Sequence, residues 1–381
     1  MDFGLTEEQS IFRDSVARFL GDEYPFDQRQ RIVAGGNGFR DDHWRQFADL
    51  GWLAASFPED HGGLGGGAVE TALIMEHFGR FLVTGPYLST VVLGGTALLQ
   101  GGSPAQKDRL LPPIVGGETR LAFAHEEPGS WQNPAYVTAR AQVSNGGYIL
   151  DGTKANVAFA ETADHIIVTA RSAGEALESE GISVFVVPRD ADGLSVTPYR
   201  TQDGGRAGEV ALSRVKVDAD ALLGAEGQGL SLIEAVLDAG CAAVCAEAVG
   251  AMWAIHERTL DYLKTREQFG QKLSEFQALQ HRMVDMYMAC QLAQSLTMDA
   301  VAALDRGVRQ DIRQAVSAAK AHVGRACRRV GQEGIQLHGG IGMTMEVPIG
   351  HYFKRLTAIG LSFGDAAWHR QRYVQDQWTA N

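Results

Sequence analysis

Cys241 and Cys245 stand four residues apart, a spacing that puts two thiols on one helix face, where they could share a metal ion. No His or further Cys stands nearby at ligand spacing, so the sequence predicts small side chains packed in a core. The stretch Phe57-Pro-Glu-Asp-His-Gly-Gly-Leu-Gly-Gly-Gly67 has the glycine density of a phosphate cradle. It follows a helix instead of a strand and lacks a Gly-Lys-Ser/Thr end, which argues against a Walker loop. Its glycines fit a tight turn or a close backbone approach. The run Arg325-Ala-Cys-Arg328-Arg329 reads as a solvated or anion-facing helix side. Two further segments mix cationic, amide, aromatic and glycine residues. One is Tyr262-Leu-Lys-Thr-Arg266-Glu-Gln268-Phe269-Gly-Gln-Lys-Leu-Ser-Glu-Phe276-Gln277-Ala-Leu-Gln280. The other is Gln336-Leu-His-Gly339-Gly340-Ile-Gly-Met-Thr-Met345.

The elements that must position these groups fall into three blocks. A chain of 381 residues is too long for one ordinary core. Residues 1–118 read as helices. Thr6 and Gln9 form a capping-box start, and Ile11, Val16, Phe19 and Leu20 recur at roughly helical spacing behind it. Further helices are expected over 41–50, 67–82, 86–101 and 104–116. From 119 to 225 the period shortens, with β-branched, often alternating runs from Leu121, Val137, Tyr148, His165, Ile182, Leu194 and Glu209. Turn formers separate them at Asn145-Gly146-Gly147, Asp151-Gly152 and Asp192-Gly193. Long helical periods return over 226–381. Ala242, Ala243, Ala246, Ala248, Gly250 and Ala251 there mark a helix that neighbours approach closely.

Composition limits the classes of partner. Hydrophobic residues at 45% and charged residues at 21% are those of a globular protein, and a net charge of −12 argues against nucleic acid. Four cysteines do not make a disulfide framework in a chain of this size. No secretory leader is visible, and no apolar run of about 18 residues would span a membrane. A cytoplasmic, metal-free protein is the expectation.

The three-block order and the two C-terminal segments resemble the acyl-CoA dehydrogenase family over the whole chain. The implied fold is α+β: an N-terminal helical domain, a middle β-barrel domain and a C-terminal four-helix bundle. The nearest likeness is to the small subunit of pimeloyl-CoA-type dehydrogenases. It rests on the 57–67 loop, Tyr199-Arg-Thr-Gln-Asp-Gly204, Cys245-Ala-Glu-Ala-Val-Gly250 and Gly350-His-Tyr-Phe-Lys-Arg-Leu-Thr357.

The resemblance implies FAD lying extended between subunits, an acyl-CoA substrate, and an electron-transfer flavoprotein as acceptor. Arg266 would pair with the pyrophosphate, a task suited to a planar, permanently charged donor fork. Gln268, Phe269, Gln277, Gln336 and Leu337 would hold the pyrophosphate and adenosine, and Gly339 and Gly340 would allow close backbone approach. On the flavin-ring side the resemblance points to Phe123, His125, Glu126, Gln132, Asn156 and Ala158.

That second side departs from the family pattern. Where the family commonly reads Thr-Glu-Pro-Gly-x-Gly-Ser-Asp, this chain has Glu126-Glu127-Pro128-Gly129-Ser130-Trp131-Gln132-Asn133. The usual Trp-Ile-Thr-Asn-Gly becomes Asn156-Val157-Ala158-Phe159-Ala160. A carboxylate at 126 beside an electron-rich reduced flavin is unfavourable unless protonated or turned away.

The implied chemistry removes the α-proton of an acyl-CoA with a general base while hydride passes from the β-carbon to the flavin. The family's usual base position falls on Gly364 and its alternative on Gly240. Asp365 and Asp238 are the neighbouring carboxylates, each displaced and one methylene shorter than Glu. Three readings stay open. The first is a base-lacking subunit of an α2β2 heterotetramer that lends trans contacts to a homologous large subunit's FAD. The second is a competent homotetramer with an atypical base, and the third a flavin-free binding protein on this fold.

Overall fold

The computed structural model describes residues 4–379. Six helices come first: α1 (Glu7–Glu23), α2 (Phe26–Ala34), α3 (Asp41–Asp49), α4 (Ala68–Phe81), α5 (Gly95–Gly101) and α6 (Pro104–Val115). Eight strands follow: β1 (Leu121–Ala124), β2 (Arg140–Ser144), β3 (Gly147–Ala158), β4 (His165–Arg171), β5 (Ile182–Pro188), β6 (Leu194–Arg200), β7 (Arg206–Asp218) and β8 (Leu222–Leu223). The long helix α7 (Leu230–Thr265) leads into a two-strand hairpin, β9 (Glu267–Gln268) and β10 (Gln271–Lys272). Helices α8 (Gln277–Arg306), α9 (Arg309–His338), α10 (Ile349–Leu361) and α11 (Ala366–Thr379) complete the chain.

Local sequence explains the helix starts. Gln9 N donates to Thr6 Oγ1 and Thr6 N to Gln9 Oε1, both at 3.1 Å, which closes the capping box of α1. Ser103 and Gln106 repeat the device ahead of α6, with Pro104 at its first position. Helix α2 is absent from the sequence reading because its core-facing groups are few. The expected helix over 86–101 begins as a wider π-type turn at Leu88–Gly94 and becomes α-helical only in α5.

The chain divides into two compact units. One comprises residues up to Arg31, Ala68–Val83 and Cys241 onward; the other comprises Ile32–Gly67 and Thr84–Gly240.

In the second unit the strands form one sheet in the order β6-β7-β3-β2-β4-β5-β8, with β1 added in parallel on β4. Its core is Ala, Val, Leu, Ile and Phe from alternating positions, among them Leu150, Ile166, Val168, Phe185, Val187 and Val210. Asn145-Gly146 makes the expected two-residue turn, pairing Ser144 with Gly147. Asp151-Gly152 is not a turn: β3 runs straight through it with a register shift against β7. Gly152 is needed there because a Cβ would lie 2.6 Å from Ala139 Cβ. The 57–67 glycines fold their loop onto itself. Gly65 N donates to Phe57 O at 2.9 Å, and a Cβ on Gly63 would lie 2.0 Å from that oxygen.

In the first unit α9 packs against α8, α10 and α11. Helices α4 and α7 approach backbone to backbone. A Cβ on Gly79 would lie 1.8 Å from Glu247 O, and one on Gly250 would lie 1.7 Å from Glu76 O. The small residues of 242–251 therefore serve the close contact that their sequence suggests. Arg355 binds the buried Glu247 carboxylate through Nε at 2.5 Å and Nη2 at 2.6 Å, anchoring α10 to α7. All four cysteines are buried and unpaired. Among the described residues no helix is long and apolar enough to cross a membrane.

Candidate functional site

The two C-terminal segments meet through a ring stack. Tyr262, on the last turns of α7, lies on His338, the last residue of α9, with centroids 4.6 Å apart and planes inclined by 21°. The stack brings the stretch leading to Arg266 beside the stretch leading to Gly339.

From Tyr262 the chain enters the β9–β10 hairpin, closed by Leu273 N donating to Arg266 O at 2.9 Å. Its two-residue turn is Phe269-Gly270, with φ of 54° and 79°. Both central residues of this turn class need positive φ, so Asn-Gly or Gly-Gly is the usual solution. A Phe there is strained, and it is also 92% exposed, with an edge contact to Phe276 at 6.3 Å. Arg266 is exposed, and its guanidinium makes no hydrogen bond or ion pair among the described residues. Gln277 opens α8 and Gln336 lies near the end of α9, both exposed. Gln268 bonds the adjacent Glu267 carbonyl at 2.7 Å, and Leu337 is buried. Gly339, at φ 64°, and Gly340 have no atom within 4 Å of where a Cβ would stand. A free guanidinium, exposed amides, an exposed ring and open glycines fit a phosphate-bearing nucleotide.

The flavin-ring candidates lie in the second unit. Phe123 is on β1, with His125 and Glu126 just beyond its end. Asn156 and Ala158 lie at the end of β3, and Gln132 in the loop after Pro128. Ala155 N donates to Glu126 O at 2.8 Å, and Asn156 Nδ2 donates to Glu126 Oε2 at 3.3 Å, so 126 and 156 are held together. The Glu126 carboxyl is raised above its ordinary range, first by burial, with the Asn156 bond working against the rise. Glu126 still touches solvent, and screening limits that shift. Tyr199, on β6, has a hydrogen bond with the Asn156 backbone and feels the Glu126 charge; the sequence reading did not single it out as a site residue.

Beneath this surface sits a polar network that the sequence does not announce. Lys154 Nζ, fully buried, donates to Glu127 Oε1 at 2.5 Å and to Thr169 Oγ1 at 2.9 Å. Glu127 also accepts from Thr138 N at 2.7 Å, Ala139 N at 3.1 Å and the Thr138 hydroxyl. Burial alone would raise the Glu127 carboxyl, but the Lys154 charge and these bonds overcome it and hold the group below its ordinary range. His125 shares Thr169 Oγ1 through Nδ1 at 3.1 Å, and burial pushes its imidazole down to about 3. The kept Glu127-Pro128 pair thus anchors the 126–133 loop to β3.

Gly364, where the resemblance places the base, has no room for a side chain. Gly364 has φ 99°, and a Cβ there would stand 2.7 Å from Trp368 Cε3 and 2.9 Å from His369 Nε2. His369 Nε2 lies 2.8 Å from Phe363 O and 3.8 Å from Cys241 Sγ, while Lys320 Nζ donates to Gly364 O at 2.6 Å. The turn is therefore fixed from both sides. Asp365 accepts from Ala367 N at 2.9 Å and Trp368 N at 2.8 Å through Oδ1, the role of an N-cap on α11. Gly240 and Asp238 are both buried within α7.

The chain matches three family domains in order: acyl-CoA dehydrogenase N-terminal over residues 6–118, middle over 122–215 and C-terminal over 227–375. It is 32% identical over 352 residues to a probable acyl-CoA dehydrogenase, YngJ, of Bacillus subtilis, covering 91% of each chain. Butyryl-CoA dehydrogenase from Megasphaera elsdenii superposes with TM-score 0.92 at 25% identity over 99% of this chain and 100% of that one. The ChsE4-ChsE5 complex from Mycobacterium tuberculosis contains a chain matching with TM-score 0.90 at 25% identity, over 99% of both. This chain therefore belongs to the acyl-CoA dehydrogenase family, FAD-dependent oxidoreductases that act on acyl-CoA thioesters.

Proposed function

We propose that this chain is the base-lacking subunit of a heterotetrameric acyl-CoA dehydrogenase and lends its dinucleotide-side residues to the FAD of a homologous large subunit. The observation that carries the reading is Gly364, where the usual base position has neither backbone nor space for a side chain. Arg266, Gln277 and Gln336 stand exposed on the other hand, as donors to a neighbour's nucleotide would. Asp365, the carboxylate next to the empty position, is committed to capping α11.

In this assembly the large subunit supplies the carboxylate that takes the α-proton. Bound FAD supplies the redox chemistry. Arg266 neutralises pyrophosphate charge, and Gln268, Phe269, Gln277, Gln336 and Leu337 orient the nucleotide beside Gly339 and Gly340. The ChsE4-ChsE5 likeness supports a two-chain assembly. The likeness to pimeloyl-type small subunits supports a dicarboxylyl or other medium-length acyl-CoA, with electrons leaving to a cytoplasmic electron-transfer flavoprotein.

The test mixes the chain, wild type or Arg266→Ala, with its large-subunit partner. The wild type is expected to raise flavin retention and acyl-CoA-dependent dye reduction, and Arg266→Ala to fail on both while still assembling. Full activity with Arg266→Ala would contradict the assignment.

A further inference from the structure

The nucleotide segment after α9 is held from behind. Gly342 packs on the end of that helix, where a Cβ would stand 3.0 Å from both Ile335 O and His338 Cβ. Past Gly342 the Met343 and Met345 side chains are exposed, so burial does little to fix this stretch. Its backbone is met instead by His351, on the first turn of α10, whose Nε2 lies 3.4 Å from Met345 O.

His351 is buried, and its other ring nitrogen, Nδ1, lies 3.1 Å from Arg29 Nη1 on α2. Arg29 is buried too, and donates through Nη1 to Gln30 Oε1 at 2.8 Å and through Nε to Leu82 O at 3.5 Å. A guanidinium has no acceptor, so Nδ1 accepts from it and the imidazole proton sits on Nε2, where Met345 O receives it. Gln30 Nε2, 3.4 Å from the same Nε2, is another donor and makes no bond with it. Phe26 covers the ring edge-on at 5.1 Å.

The neutral ring thus connects α2 to the nucleotide segment, and its surroundings disfavour a second proton. The charges that act on it are positive, Arg29 from α2 and Lys354 from its own helix. Burial and then Arg29 hold the imidazole below its ordinary range, against the opposing Met345 bond. A proton on Nδ1 would face the Arg29 guanidinium and end the connection.

We propose that His351 is a positioning residue for the nucleotide segment: neutral, it ties Met345 to Arg29 and keeps Gly339 and Gly340 in place, and protonated, it releases them. This role rests on the reading of 339–345 as a nucleotide site. The held form takes up its proton at lower pH than the released form. The hold is therefore complete above the ordinary histidine range near 6.5 and is lost as pH falls.

Hydrogen exchange of the 339–348 amides, corrected for intrinsic pH dependence, follows the segment in the full chain. FAD retention follows it in the enzyme assembled with its large subunit. From about pH 7 to 5 the wild type is expected to lose protection and to weaken for FAD by roughly fivefold or more. His351→Gln cannot titrate, yet offers an oxygen to Arg29 and an N–H to Met345, so both readouts should stay flat. His351→Asn is one methylene shorter, cannot serve both partners, and should lose protection and FAD already at pH 7. One shared pH profile for wild type and His351→Gln overturns the proposal, as does wild-type behaviour of His351→Asn. If His351→Asn does not fold, the comparison with His351→Gln decides alone. Arg266→Ala separates the two levels of the reading. FAD lost with Arg266→Ala but kept with His351→Asn overturns the positioning role alone; FAD kept by both overturns the nucleotide site and the role with it.

Discussion

Gly364 and His369 exclude one another's side chains: a Cβ on the glycine would lie 2.9 Å from the imidazole Nε2. The imidazole is set by Phe363 O and Cys241 Sγ, and the glycine carbonyl by Lys320. The turn is thus packed without room for the carboxylate that the family resemblance places at 364. A single substitution does not undo it.

Gly364→Glu is expected to destabilise the chain by about 2–5 kcal/mol, summing left-handed strain and overpacking, without creating activity. Urea unfolding measures the loss. In a His369→Ala background the same substitution should cost less by about 1 kcal/mol or more, since one of the two blocking rings is gone while Trp368 remains. Additive losses would mean that the ring is not what closes the site.

Lys154→Met should cost about 3–5 kcal/mol, because Glu127 is left buried and charged without its partner. Adding Glu127→Gln removes that charge while its single amide oxygen keeps an acceptor for one of Thr138 N and Ala139 N, and stability should partly return. Thermal melts of the two variants decide the point.

The capping box of Thr6 and Gln9 and the turn at Asn145-Gly146 were legible because they are local, each fixed by residues within three positions of one another. The alternation of the β runs and the small residues of 242–251 were legible for the same reason. Contacts between distant residues were not. Gly152 reads as a turn until Ala139 is seen against it, and nothing local links Lys154 to Glu127. A glycine at 364 is visible in sequence, but the Trp368 and His369 rings packed against it are not.

The pH dependence follows from His125, whose imidazole is lowered from 6.5 to about 3 by burial. It stays neutral in the fold, while the unfolded chain takes up a proton near 6.5. Stability is therefore lost as pH falls from 6.5 toward 3, at about 1.4 kcal/mol per unit for this group. His125→Gln, which cannot titrate, should show a flatter profile over pH 7 to 5 in urea unfolding. An unchanged slope would assign the acid sensitivity elsewhere.

Two glycines should respond in opposite ways to alanine. Gly250→Ala drives a Cβ into Glu76 O and should cost about 3 kcal/mol or more as α4 and α7 part. Gly339→Ala meets only open space, so its melting temperature should fall far less, while FAD retention in the assembled enzyme drops.

The most direct measurement is the FAD-to-chain ratio, by visible absorbance, of the protein purified without a partner. A base-lacking, lending subunit should carry well under one FAD per chain and show no bleaching with any acyl-CoA. One FAD per chain, bleached by an acyl-CoA in the absence of a second subunit, would contradict the account.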